Sequence, residues 1–179
     1  MRTEKIVFAL LACVLFAGLA FLSFGAVPKR PVAFFAYGAG LAKSTMNARA
    51  GGFINATAAE LPGYALVFAS QDARPAEFGV ATLVKNESAA VSGALYYLAP
   101  EQLAMLDRQS GVPDFYERIG IAASANGQEI DGQAYVLAGR THLAAPSRPY
   151  YVAAQNGMAE WGYDGRSMDA AVADASGFE

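Results

Sequence analysis

The sequence predicts an α+β fold: a small mixed or antiparallel β-barrel with flanking helices, preceded by one N-terminal transmembrane helix. Three observations lead there. About six short stretches have strand composition, and two longer helical stretches do not alternate regularly with them, the pattern of a mixed sheet curled into a barrel. Glycine is frequent, at 18 of 179 residues, as tight strand connections require. And from Ile6 to Val27 no residue is charged, the only polar side chains being Cys13 and Ser23.

Residues 1–5 form a short basic head carrying Arg2 and Lys5, and residues 6–27 are the anchor or signal segment. A helix of these 22 residues spans the roughly 30 Å hydrocarbon core of a bilayer. The apolar part of a cleavable signal peptide runs only about 7–15 residues. Length therefore favours an uncleaved single-pass anchor, with a secreted domain after cleavage as the alternative. Lys29 and Arg30 balance Arg2 and Lys5, so the positive-inside rule gives no vote on orientation. The short head before a large domain is the layout of a signal anchor, which places the domain outside the cytoplasm.

Pro28-Lys29-Arg30-Pro31 is a stiff linker, and the domain follows over residues 32–161. Val32 to Tyr37 is an aromatic, apolar run that reads as a buried strand, ending in the permissive turn Gly38-Ala39-Gly40. Ser44 caps a short helix through Arg49 in this reading. Tyr64 to Ala69 is a strand opened by Pro62-Gly63. Phe78 to Val84 and Val91 to Leu98 read as a hairpin around the polar stretch Lys85 to Ser88. Pro100 suits the first turn of a helix that turns Leu103 and Leu106 inward and stops near Gly111. Tyr116 to Ala123 and Glu129 to Leu137 are strands joined by the turn signal Asn126-Gly127. Pro146 and Ser147 open a last helix through Ala159. The small, polar residues 162–179 read as a flexible tail.

Composition excludes several function classes. Cys13, the only cysteine, lies in the apolar run, so the domain has no disulfide and no thiolate metal site. His142 is the only histidine, which excludes a multi-histidine metal centre. No metal and no cofactor are expected. Beyond residue 30 the chain has nine Lys and Arg against fifteen Asp and Glu, a net charge of −6. Nucleic-acid binding wants a basic face and is not expected.

Several motifs then occur in a telling order. Phe34-Phe35-Ala36-Tyr37-Gly38-Ala39-Gly40-Leu41 is followed by Met46 and Arg49, then by Tyr64-Ala65-Leu66-Val67-Phe68 and Gly79-Val80-Ala81-Thr82-Leu83. Val91-Ser92-Gly93-Ala94-Leu95-Tyr96, Leu106-Asp107-Arg108-Gln109-Ser110-Gly111-Val112 and Tyr116-Glu117-Arg118 complete the series. This order resembles the gamma-glutamylcyclotransferase-like family, the AIG2-like domain, over about Val32 to Trp161.

The resemblance implies a ligand site at Tyr37, Gly38, Ala39, Gly40, Leu41 and Tyr116, with Tyr135 and Tyr150 at near-pocket positions and Asn156 and Gly157 near its closing edge. It implies a small γ-glutamyl or amine-bearing ligand whose carboxylate meets the N–H groups of the glycine loop. In the family the ligand's α-amine attacks its γ-carbonyl, an acyl transfer that releases 5-oxoproline, while a glutamate carries the proton as general base and then acid. Here Ser110 occupies the glutamate position, and Ala39-Gly40 replaces the loop's Ser-Asn pair. A hydroxyl cannot accept and return that proton near neutral pH, and losing a general acid–base costs about 10²–10⁴-fold. The resemblance therefore implies a membrane-anchored binding domain with efficient turnover lost, and leaves open whether the chain is an enzyme. An active cyclotransferase using a relocated carboxylate, Asp107 or Glu117, is one alternative. A vestigial pocket with a protein-interaction role is the other. Strand alternation turns Glu117 away if Tyr116 faces the pocket. Ser110 acting as a nucleophile with His142 lacks an orienting acid and an elbow motif.

Overall fold

A computed structural model describes residues 30–73 and 76–176. The head 1–5, the apolar segment 6–27 and the first half of the linker lie outside the described residues. Among the described residues, no helix is long and apolar enough to cross a membrane.

The chain runs β1 (Val32–Ala36), a single 3-10 turn (Gly38–Gly40), α1 (Lys43–Ala50), β2 (Asn55–Gln71) and β3 (Val80–Leu98). It continues through α2 (Pro100–Ser110), β4 (Tyr116–Ala125), β5 (Gln128–Leu137), β6 (Thr141–Leu143), α3 (Arg148–Glu160) and α4 (Arg166–Ser176). The strands pair in the order β3-β1-β5-β4-β2, and β2 pairs back onto β3, so five strands close a barrel. Short β6 extends the sheet from the far end of β2, where Ser70 lies opposite His142. Only β1 and β5 run parallel; the other pairings are antiparallel. The fold is thus the mixed α+β barrel with flanking helices that the sequence predicts.

Alternation along β1 divides the apolar interior in two. Ala33 and Phe35 join Leu61, Leu83, Leu95, Ile121, Ala123 and Ala134 in a cluster contributed by strands alone, which fills the barrel. Phe34 and Ala36 point the other way, into a second cluster with Met46 of α1, Leu103 and Leu106 of α2, Met158 of α3 and Met168 of α4. One short strand therefore ties the barrel to its helices, and the candidate site opens at the end of that strand.

Three sequence expectations are corrected. The proposed hairpin of Phe78–Val84 with Val91–Leu98 does not form: both stretches belong to β3, and both pair with β2. Tyr64 pairs with Lys85 and Pro62 with Ala90, so Asn86–Ala89 are an excursion of one strand rather than a turn between two. Pro62 and Gly63 likewise do not open a strand. They sit inside β2 at a register shift, where an exposed proline without an N–H is tolerated. Finally, residues 162–179 are not a flexible tail throughout, because Arg166–Ser176 form α4. Met168 is fully buried there and Ala171 nearly so, with Val172 and Ala175 packed beside them at helical spacing. The connection to α4 is also held: Tyr163 donates to the carbonyls of Ala59 at 3.1 Å and Gly93 at 3.0 Å.

Other boundaries differ in detail. α1 begins at Lys43 after Ala42, so Ser44 lies inside the helix instead of capping it. α2 starts with Pro100 and ends where Gly111 takes φ 71°. α3 is capped by Ser147, whose hydroxyl accepts from the Tyr150 N–H.

Candidate functional site

A cleft of about 60 Å³ opens where β1, the glycine turn, α1, α2, β4, β5 and the start of α3 converge. Phe34, Met46 and Leu106 supply apolar wall, and Tyr37, Tyr116, Tyr135 and Tyr150 supply four phenols. Among the described residues, Arg49 is the only charged side chain in its lining.

Each of these side chains is placed by local structure. Tyr37 follows β1 in an extended conformation and its hydroxyl donates to the Tyr135 carbonyl at 2.5 Å. Met46 and Arg49 are three residues apart on α1, hence on one helical face. Tyr116 opens β4 and stacks on Tyr135 of β5 with ring centroids 5.9 Å apart. Tyr150 lies in the first turn of α3, and its hydroxyl accepts the Ala81 N–H at 3.1 Å, with the Ala39 N–H also in reach. Gly38 permits this closeness. Its φ is +59°, and a Cβ there would stand 2.7 Å from the Ala81 Cβ and 3.2 Å from the Tyr150 oxygen.

Burial raises all four phenols above the usual tyrosine range. At Tyr135 the neighbouring Asp107 carboxylate adds to the rise. The four hydroxyls therefore stay protonated near neutral pH and can donate hydrogen bonds.

Ser110 is the last residue of α2 and is buried. Arg49 Nη2 donates to its Oγ at 2.7 Å, joining α1 to α2, and the same hydroxyl reaches the Tyr135 phenol. Asp107, one turn earlier, accepts the Tyr135 hydroxyl at 2.7 Å, with Arg118 Nε 3.6 Å away. Glu117 is exposed, facing away from its neighbour Tyr116. His142 pairs with Asp72 at 2.9 Å on the exposed β6 edge and does not meet Ser110.

Of the glycine-turn residues, Gly40 lines the cleft, while Gly38 is buried beneath Tyr150. Leu41 is fully buried in the helix-facing core, and its carbonyl accepts the Tyr96 hydroxyl at 2.7 Å and Trp161 Nε1 at 3.0 Å. Asn156 is exposed, and Gly157 packs α3 closely on Leu41 and Ala42. Sequence reasoning used Arg49 only as a motif position and did not place it in the cleft. The signal available was its spacing from Met46; its partner, 61 residues away, was not legible. Among the described residues, no group of three or more His, Cys, Asp or Glu is placed to hold a metal ion.

A closed five-stranded barrel with flanking helices defines a structural class, and solved structures share that fold. A gamma-glutamyl cyclotransferase matches with a TM-score of 0.69 at 23% identity, over 83% of this chain and 88% of its own. An uncharacterised human protein matches with a TM-score of 0.68 at 23% identity, over 84% and 89%. A yeast gamma-glutamyl cyclotransferase specific to glutathione matches with a TM-score of 0.56 at 11% identity, over 83% and 96%. At such identities these likenesses establish the fold. Among curated proteins, no sequence match was found. The family model described as Gamma-glutamyl cyclotransferase, AIG2-like matches residues 34–154, more than half of the chain. The chain belongs to that family.

Proposed function

We propose that this chain is a membrane-anchored member of the family that binds a γ-glutamyl or small amine-bearing ligand in the cleft and has lost efficient cyclotransfer. The observation that carries the reading is the lining itself, in which, among the described residues, no carboxylate appears and Arg49 is the one charge. Cyclotransfer must move a proton from the attacking amine to the leaving amine, which takes a group that ionises within reach of both. Ser110, at the position of the family's glutamate, is a neutral hydroxyl already accepting from a guanidinium. A donor so close makes that oxygen a still poorer base. The four phenols, raised in pKa, stay protonated near neutral pH and so have no free base to take up the amine's proton.

One observation favours a second reading, an active enzyme with a relocated base. Asp107 is linked to the cleft through the Tyr135 hydroxyl, so a proton could pass from the cleft to that carboxylate. Incubation with γ-glutamyl amino acids, followed by detection of 5-oxoproline, decides between the two. Product from Ser110→Glu but not from the unaltered protein supports lost turnover. Product from the unaltered protein that disappears in Asp107→Asn establishes the relocated base and refutes the proposal.

The anchor is the apolar run Ile6–Val27, with the domain outside the cytoplasm. Membrane fractions that keep the protein after an alkaline wash, but not a chain beginning at Lys29, support it. Recovery of the full chain in the soluble fraction sinks it.

A further inference from the structure

The family's ligand carboxylate is expected at the N–H groups of the glycine turn. In this chain two of those groups already face partners within the protein. The Leu41 N–H donates to the Gly38 carbonyl at 3.1 Å, and the Ala39 N–H faces the Tyr150 oxygen. The Ala81 N–H donates to that oxygen at 3.1 Å, which leaves the Tyr150 proton to point elsewhere.

Arg49 is situated differently. It lines the cleft, and among the described residues no carboxylate lies within ion-pair reach of it. Its one hydrogen-bond partner, Ser110, occupies Nη2 alone of a guanidinium with five N–H donors. The Tyr116 and Tyr150 phenols line the same small cleft as Arg49. The Tyr116 hydroxyl has no hydrogen bond to another described residue. A partly buried cation that shares its cleft with two phenolic donors, Tyr116 and Tyr150, lacks one thing, an acceptor with negative charge. A ligand ammonium, by contrast, would meet no carboxylate in this lining and would lie beside a guanidinium.

We propose that Arg49, with the Tyr116 and Tyr150 hydroxyls, is the recognition element of the cleft, that it takes a carboxylate, and that the ligand class is small organic acids for which an α-amine is dispensable. This rests on reading the cleft as a ligand site without efficient turnover, and it goes further by assigning which group of the ligand is held and by what. The domain's net charge of −6 slows the approach of an anion, but the pairing at the cleft decides how long it stays.

Three probes that differ by one group test this. L-glutamine carries both amine and carboxylate, 4-carbamoylbutanoate only the carboxylate, and 4-aminobutanamide only the amine. Binding to the full-length chain in detergent is measured by calorimetry at neutral pH. The carboxylate-only probe is expected to bind within about threefold of glutamine, and the amine-only probe roughly ten- to hundredfold more weakly, as loss of a hydrogen bond to a charged group implies. Arg49→Met should weaken both carboxylate probes by about as much, and Arg49→Lys should recover part of that loss. Thermal unfolding of each variant separates lost binding from lost folding, and the probe series on the unaltered protein does not depend on either variant. If glutamine and the amine-only probe bind while the carboxylate-only probe does not, this assignment is wrong and the γ-glutamyl reading survives. If the carboxylate-only probe binds and glutamine does not, the assignment stands and the γ-glutamyl reading falls. Binding of none of the three overturns both, and a folded Arg49→Met with unchanged affinities overturns the assignment alone.

Discussion

Replacing Gly38 with alanine tests how tightly the glycine turn is pressed against the barrel. The added Cβ has two separable effects. At φ +59° an L side chain is strained, which costs roughly 1–2 kcal/mol. The same carbon would lie 2.7 Å from the Ala81 Cβ and 3.2 Å from the Tyr150 oxygen, both closer than ordinary contact. The tyrosine can swing aside, but a methyl fixed to strand β3 cannot, so overpacking adds roughly 1–3 kcal/mol. The total is about 2–5 kcal/mol, read as a lower denaturant midpoint at unchanged slope. A double-mutant cycle with Ala81→Gly divides the two effects, because deleting that methyl relieves the clash and leaves the backbone strain. Gly38→Ala should therefore be less harmful in the Ala81→Gly background, by about the overpacking amount. A loss below about 1 kcal/mol for Gly38→Ala, or a cycle with no coupling, would refute the contact on which the position of Tyr150 depends.

Two further outcomes follow from burial. The phenols of Tyr37, Tyr116, Tyr135 and Tyr150 are raised above the unfolded value of about 10, so stability is fully present below pH 10. Above it the unfolded chain ionises and the folded one does not, which removes about 1.4 kcal/mol per pH unit for each such tyrosine. Urea midpoints measured against pH, with phenolate absorbance followed in parallel, check this; full phenolate absorbance near pH 10 in a protein still folded would contradict it. Met168→Ala should cost roughly 2–5 kcal/mol, because the side chain is fully buried between α4 and the barrel. An unchanged unfolding midpoint would mean that α4 does not dock.

The parts of the fold legible in sequence are those set by neighbouring residues. The Asn126-Gly127 turn, Pro100 at a helix start, Gly111 at its end and Ser147 as a cap each act within a few residues, and each appears in the structure. What was misread depends on distant partners. Pro62-Gly63 and Lys85–Ser88 look like chain breaks because their composition is that of turns, yet β2 and β3 bridge them by staying paired on either side. α4 was hidden because its buried face has only one large residue, Met168, with alanines and Val172 around it, a weak apolar signal until the barrel surface beneath is known. At the site, motif order singled out Tyr37, Gly40 and Tyr116, which do line the cleft. The Arg49–Ser110 bond was not legible, since no local pattern links two residues on helices that meet only after folding.

The double hydrogen bond at the Leu41 carbonyl bears on how far the domain extends. One donor, Tyr96, comes from strand β3, but the other, Trp161, lies seven residues beyond the segment matched to the family, which ends at Ala154 in the middle of α3. Tyr163 and α4 come later still and bond or pack onto the strands. The segment that the family model matches is therefore shorter than the stretch that packs together. A chain shortened to Ala154 would keep every aligned motif and still leave the glycine turn without its outer brace. In this protein the recognisable sequence motif set and the set of residues that brace one another end at different places.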